Sequence, residues 1–159
     1  IDVGFGDALP TGPTELNYPA LLDPPPPNIL AHSLETVIAE KLQAATVLYD
    51  VNSRYKDFYD IHQLAATKAI EAQDLHRAVE ATFIRRGTPV IDAHRLFSPA
   101  FADDPRRQAQ WNAFLKRIRQ TVPGSFPKVM KDISDLIEPI LNGDAKGSWN
   151  PTEGVWTDD

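Results

Sequence analysis

The sequence predicts an α+β protein, with a few short strands at its N-terminal end followed by a mainly helical body. Three observations predict it. Ile1, Val3 and Phe5 alternate with Asp2, Gly4 and Gly6, the period of a half-buried strand. From Ser33 to Leu64 apolar residues recur at the helical period in two successive stretches. Three later stretches each begin at a good cap residue and keep the same spacing.

Taken in order, the two glycines beside Asp2 leave open space on the polar face of the first strand. Proline and glycine then accumulate up to Asn28, with four consecutive prolines at Pro24 to Pro27. Such a run is stiff and extended, and we read it as a rigid connector in preference to an SH3-type ligand. Leu16 to Leu22 predicts a short edge strand, because Pro19 does not fit a central one. Asn28 to His32 predicts a last strand. The first helix presents Leu34, Val37, Ile38, Leu42, Ala45, Leu48 and Tyr49 on one stripe, and directs Glu35, Ala39, Gln43 and Thr46 to solvent.

A second helix is expected from Asn52 or Ser53, with Phe58, Ile61, Leu64 and Ala65 inward and Tyr55 and Tyr59 on the other side. Asp74 is expected to cap a third, stopped by Gly87, and residues 88–103 to form a loop. Asp104 and Pro105 open a fourth helix around Trp111, Phe114, Leu115 and Ile118. Ser125 opens a fifth, from Phe126 to Ile140, kinked at Pro139 and ended by Gly143. Beyond it we expect a mobile or locally docked polar tail, with Trp149 and Trp156 as anchors. This divides the chain into a strand and connector region (1–32), a helical domain (33–142) and a tail (143–159).

With 159 residues, 42% apolar and 24% charged, the chain can bury the core of a soluble domain. The absence of cysteine excludes disulfides, thiolate zinc sites and cysteine nucleophiles, and fits a reducing, cytoplasmic setting. No apolar run approaches the roughly 20 residues that cross a bilayer, so no membrane partner is expected. A net charge of −6 argues against coating nucleic acid by charge alone. Yet Arg85, Arg86, Arg95, Arg106, Arg107, Lys116, Arg117 and Arg119 make the later helices basic. That bias reads either as solvated faces of mixed charge or as a local nucleic-acid footprint. His32, His62, His76 and His94 lack zinc-site spacing, and Ser53 and Ser98 lack a hydrolase context.

The informative charges sit on faces that ought to be dry. Lys41 occupies the centre of the first helical stripe, and Asp57 the edge of the second. Ionised groups are rarely buried unless paired or used. Lys41 either snorkels, pairs with a buried acid, or meets an anion such as a triphosphate. Asp57 can accept a hydroxyl proton, orient Lys41, or sit favourably at the positive end of its own helix. Arg54 points inward by period and could contact phosphate. Arg54 with Asp57, and Lys56 with Asp60, also have the spacing of surface ion pairs, which contribute only about half a kcal/mol. Asp2, between two apolar strand residues, has the pattern of a carboxylate presented to Mg²⁺ at a sheet surface.

The segments I-D-V-G-F-G-D, Y-P-A-L-L-D, E-T-V-I-A-E-K-L-Q-A, N-S-R-Y-K-D-F-Y-D-I and A-T-F-I-R-R-G-T-P, in that order, resemble the AbiEii/AbiGii family of nucleotidyltransferase toxins of abortive-infection and type IV toxin–antitoxin systems. The resemblance implies part of a DNA polymerase β-like nucleotidyltransferase sheet followed by a helical domain. It implies that Lys41 binds triphosphate, that Asp57 is the helical catalytic aspartate and that Asp2 is a metal carboxylate; Arg54 and Lys56, beside Asp57 in sequence, are expected to contact substrate. Mg²⁺ (or Mn²⁺), a nucleoside triphosphate, an RNA acceptor such as tRNA and a cognate antitoxin are the implied cofactor and partners. The family's Gly-Ser turn and acid-x-acid strand should precede Ile1, and the chain opens without methionine. It therefore reads as the later portion of a longer protein, expected to have little transferase activity by itself. The competing reading is a non-catalytic helical module that binds RNA or an antitoxin. A ribonuclease-like domain ranks lower, for want of a supported R-x₄₋₆-H arrangement.

Overall fold

A computed structural model describes residues 14–17, 28–49, 54–119 and 124–158. The strand expected at Ile1 to Phe5, with the catalytic sheet it implied, and the proline run lie outside these residues. The two strands that follow, β1 (Thr14–Asn17) and β2 (Asn28–Ala31), pair antiparallel with Thr14 opposite Ala31. The edge strand expected from Leu16 thus begins two residues earlier.

Helix α1 (Leu34–Val47) starts where Ser33 Oγ accepts the Thr36 N–H at 3.2 Å. Ile38, Leu42 and Ala45 are buried as the period requires. Ala39, Gln43 and Thr46, expected in solvent, are buried as well, because α3 (Ala72–Arg85) packs along that flank. The polar members are satisfied there. The Gln43 amide donates to Thr88 Oγ1 at 2.8 Å and accepts from Arg86 Nη1 at 2.9 Å, and Thr46 Oγ1 donates to the Leu42 carbonyl.

Helix α2 (Tyr55–Thr67) begins later than an Asn52 or Ser53 cap would place it, with Arg54 at the N-cap position. Phe58, Ile61 and Ala65 face the core. Tyr55, assigned to the opposite side, is only 4% exposed, because α5 (Pro105–Ile118) and α6 (Phe126–Asn142) cover that side too. Its ring meets Trp111, Phe114 and Phe126, and its hydroxyl donates to Gln110 Oε1 at 2.6 Å. Burial raises its pKa above the ordinary phenol value, against the opposing charge of Arg107.

Helix α3 starts at Ala72, after the two-residue strand β3 (Ile70–Glu71), and Asp74 pairs with Arg77 inside the first turn instead of capping it. It ends as expected at Gly87, whose φ of 60° a residue with a Cβ adopts at a cost. The loop expected over 88–103 is instead a 3-10 helix (Val90–Phe97) and the one-turn helix α4 (Pro99–Ala102). Ala93 and Leu96 are buried at a spacing of three, the 3-10 period, which a search for 3.6 passes over.

Asp104 caps α5, its Oδ1 accepting the Arg106 N–H at 2.9 Å, with Pro105 at the first helical position. Ser125 stands at the N-cap position of α6 but makes no side-chain cap bond; Gln108 of α5 accepts the Phe126 N–H instead, at 2.8 Å. The expected inner face of α6 is buried from Phe126 to Ile140, and Gly143 ends the helix at φ 75°.

The segment expected as a polar tail is a docked hairpin. Strands β4 (Ser148–Asn150) and β5 (Val155–Thr157) join β3 in an antiparallel sheet of order β3-β4-β5. Both tryptophans do anchor it. Trp149 Nε1 donates to the Ala65 carbonyl of α2 at 2.8 Å, and Trp156 Nε1 to the Leu136 carbonyl of α6 at 3.1 Å. The architecture is α+β, mostly helical with small antiparallel sheets. Among the described residues no helix is long and apolar enough to cross a membrane.

Candidate active site

Helices α1 and α2 pack side by side and direct opposite charges at each other. Lys41 Nζ donates to Asp60 Oδ2 at 2.7 Å and to Asp57 Oδ1 at 3.3 Å. The two carboxylates lie three residues apart on α2, the spacing that sets side chains on one face. The side chains of Lys41, Asp57 and Asp60 are only 21%, 10% and 21% exposed. Two outer cations close the group: Lys56 Nζ lies 2.6 Å from Asp60 Oδ2, and Arg54 Nε 3.5 Å from Asp57 Oδ2.

The pKa directions follow from this packing. Burial alone would lower Lys41, but the bond and charge of Asp60, then those of Asp57, outweigh it and hold the amine above its ordinary value. Burial would raise Asp60, but its bonds to Lys41 and Lys56 prevail and hold it below the usual aspartate range. Asp57 is used unevenly. Its Oδ1 accepts from Lys41, whereas its buried Oδ2 receives no hydrogen bond and has only the longer ion-pair approach of Arg54.

The sequence-assigned Lys41 and Asp57 therefore converge from separate helices. Arg54, expected inward, is 60% exposed, because it precedes the first turn of α2 and is not carried on its inner face. Lys56 makes the expected pair with Asp60. Asp2 lies outside the described residues. Asp60 itself went unrecognised, since its spacing from Lys56 suggested a surface pair; it is the nearer partner of Lys41. The available signal was its position three residues after Asp57, which puts it on the same face.

Arg86 of the R-R-G-T-P segment bonds Gln43 and approaches Glu40 Oε1 at 3.5 Å, tying the end of α3 to α1. His62 is buried with Nε2 3.2 Å from Asp132 Oδ2, and among the described residues no group of three metal-ligating side chains is assembled. The charge cluster does not by itself form a cation site. One carboxylate oxygen is without a hydrogen bond, Arg54 stands beside it, and three cations surround two acids.

An α+β chain with an amine and two carboxylates converging between its first two long helices is compatible with phosphate chemistry. Comparison with protein families gives the class: residues 1–137 match the nucleotidyl transferase AbiEii toxin family of type IV toxin–antitoxin systems, and the chain belongs to that family. The matched stretch ends within α6, so β4 and β5 lie beyond it. Comparison with curated proteins and with solved structures found no match.

Proposed function

We propose that the protein takes part in nucleotidyl transfer from a nucleoside triphosphate to an acceptor hydroxyl, and that the Lys41–Asp57–Asp60 cluster is its site. The observation that carries the reading is the placement of Lys41 Nζ within hydrogen-bond reach of two carboxylates from the neighbouring helix. In the proposed reaction the acceptor oxygen forms a bond to the α-phosphorus as the bond to pyrophosphate breaks. Asp57 Oδ2, which receives no hydrogen bond, takes the hydroxyl proton. Lys41 turns its ammonium to the departing phosphates, with Arg54 and Lys56 as further cations at the exposed rim. Asp2 is the residue we assign to hold Mg²⁺ or Mn²⁺, which when bound would neutralise charge at the transferring phosphate. The acceptor we propose is RNA, tRNA included, and the type IV membership supports a cognate antitoxin as partner.

One observation favours a second reading. Lys41 is already shared between two acids, which suits a closed staple in a non-catalytic helical module for RNA or an antitoxin. Calorimetric titration with magnesium nucleoside triphosphates separates the two. Loss of a charge-assisted contact in Lys41→Ala should weaken binding by about tenfold to a hundredfold. Affinity untouched by the substitution would assign Lys41 to the staple.

A further inference from the structure

Helix α5 differs from the others in how it treats its charges. Lys56 of α2, Arg77 of α3 and Lys128 and Lys131 of α6 are paired along their own helices, with Asp60, Asp74, Asp132 and Asp135. Helix α5 contains no acidic residue at all. Arg106 at its start pairs with the cap Asp104, and Arg107 is spent on packing over the Phe101 ring at 3.8 Å. Lys116, Arg117 and Arg119 at its other end are exposed and have no carboxylate partner among the described residues. The negative end of a helix favours a cation in its last turn. That preference does not explain why acids are missing from the whole helix in a chain of net charge −6.

From the structure we infer that the exposed ridge of α5 carries the phosphodiester backbone of a single-stranded polynucleotide acceptor. Arg106 to Arg117 span about 16 Å of helix, room for two or three nucleotides. Between the cations the exposed positions are Ala109, Gln110, Asn112 and Ala113, small or amide side chains that let a strand lie close. No large apolar side chain is exposed on α5, so an acidic protein would find no anchor of the kind that dominates protein interfaces.

The ridge and the charge cluster lie on opposite sides of the α2–α5 pair. Tyr55 and Tyr59 of α2 contact α5 through Gln110, Trp111 and Phe114, while Asp57 and Asp60 face Lys41 of α1. Helix α2 and the body of α5 therefore both stand between ridge and cluster, and a strand on the ridge has to pass the end of these helices to reach it. The identity of the strand as acceptor rests on the transfer reading; the charge pattern does not.

The test uses the full chain and a labelled single-stranded RNA of about 12 nucleotides, with DNA of the same sequence as a second arm. The variant is Lys116→Gln/Arg117→Gln/Arg119→Asn, asparagine being chosen because position 119 has a φ of 53° that it tolerates. The control is Lys128→Gln/Lys131→Gln, which removes paired cations. Anisotropy titration at about 0.1 M salt should show the α5 variant weakened by about tenfold or more, with the slope of log affinity against log salt reduced by about 2. The control should stay within about twofold of wild type.

Equal loss in both variants, or none in the α5 variant, overturns the inference. So does polyglutamate displacing the RNA at equal charge concentration. Preference for RNA over DNA supports an acceptor read at its sugar; equal binding supports a ridge that reads phosphate alone. Triphosphate titration of the same proteins keeps the two questions apart. Lys41-dependent triphosphate binding with an inert ridge sinks this inference alone, whereas ridge-dependent RNA binding without any effect of Lys41 sinks the transfer reading alone.

Discussion

The two flanks of α2 are built from opposite materials. Towards α5 and α6 the helix sets Tyr55, Phe58 and Tyr59 among Trp111, Phe114 and Phe126, with ring centroids between 5.7 and 6.5 Å apart. Towards α1 it sets Asp57 and Asp60 against one lysine. Burial of the rings depends on apolar area removed from water and not on charge, so it holds the helix across the pH range in which the ionic flank changes. A half-buried ion pair returns little net stability, because desolvating the charges costs much of what their attraction supplies. The difference teaches that the aromatic flank supplies most of the stability of α2 and that the ionic flank adds little to it.

The sharpest way to break this comparison is through Trp111, which is wholly buried at the centre of the ring cluster. Trp111→Ala should cost about 3–5 kcal/mol in denaturant unfolding. Its indole N–H has no partner, so Trp111→Phe removes an unsatisfied donor and should cost under about 1.5 kcal/mol. A loss under about 1 kcal/mol for the alanine variant would mean the aromatic flank is not what holds α2.

The ionic flank should show a smaller effect with a pH signature. Lys41→Met should cost about 1–3 kcal/mol, between exposed and fully buried pairs. Asp60 is depressed in the folded state, so its contribution is present above the ordinary value of 3.8 and is lost as pH falls through the lower folded value. Lys41 is raised, so its contribution is full below 10.5 and is lost as pH rises through the higher folded value. The stability difference between wild type and Lys41→Met should be flat from about pH 4 to 10 and shrink on either side. A difference that persists unchanged to pH 2 would deny the pairing. The smallest effect belongs to Lys56→Ala, where a rim lysine that is 73% exposed should be worth under about 0.5 kcal/mol in urea unfolding and less in high salt.

How much of this was legible in the residues depended on whether one helix sufficed to decide. Lys41 and Asp57 were found because each is misplaced on its own helical stripe, and so were the stops at Gly87 and Gly143. Burial of Ala39, Gln43, Thr46 and Tyr55 was not legible, because a helix packed on two flanks needs partners, α3 for one and α5 with α6 for the other, whose positions no local period states. The second partner of Asp60 was missed for the same reason: besides Lys56 of its own helix it binds Lys41, which comes from α1. The hairpin at Trp149 and Trp156 was read as tail because three-residue strands are too short to show alternation. Asp2, the remaining assigned residue, falls outside the described part of the chain.

The indole of Trp149 has a mechanical consequence for the far end of α2. That helix is pinned near its C-terminus through the Ala65 carbonyl and gripped by rings along its middle. It behaves as a fixed rail. If the Lys41 amine is to leave its two acids, rotation of its own side chain is the smallest motion that releases it, since α2 is held at both places.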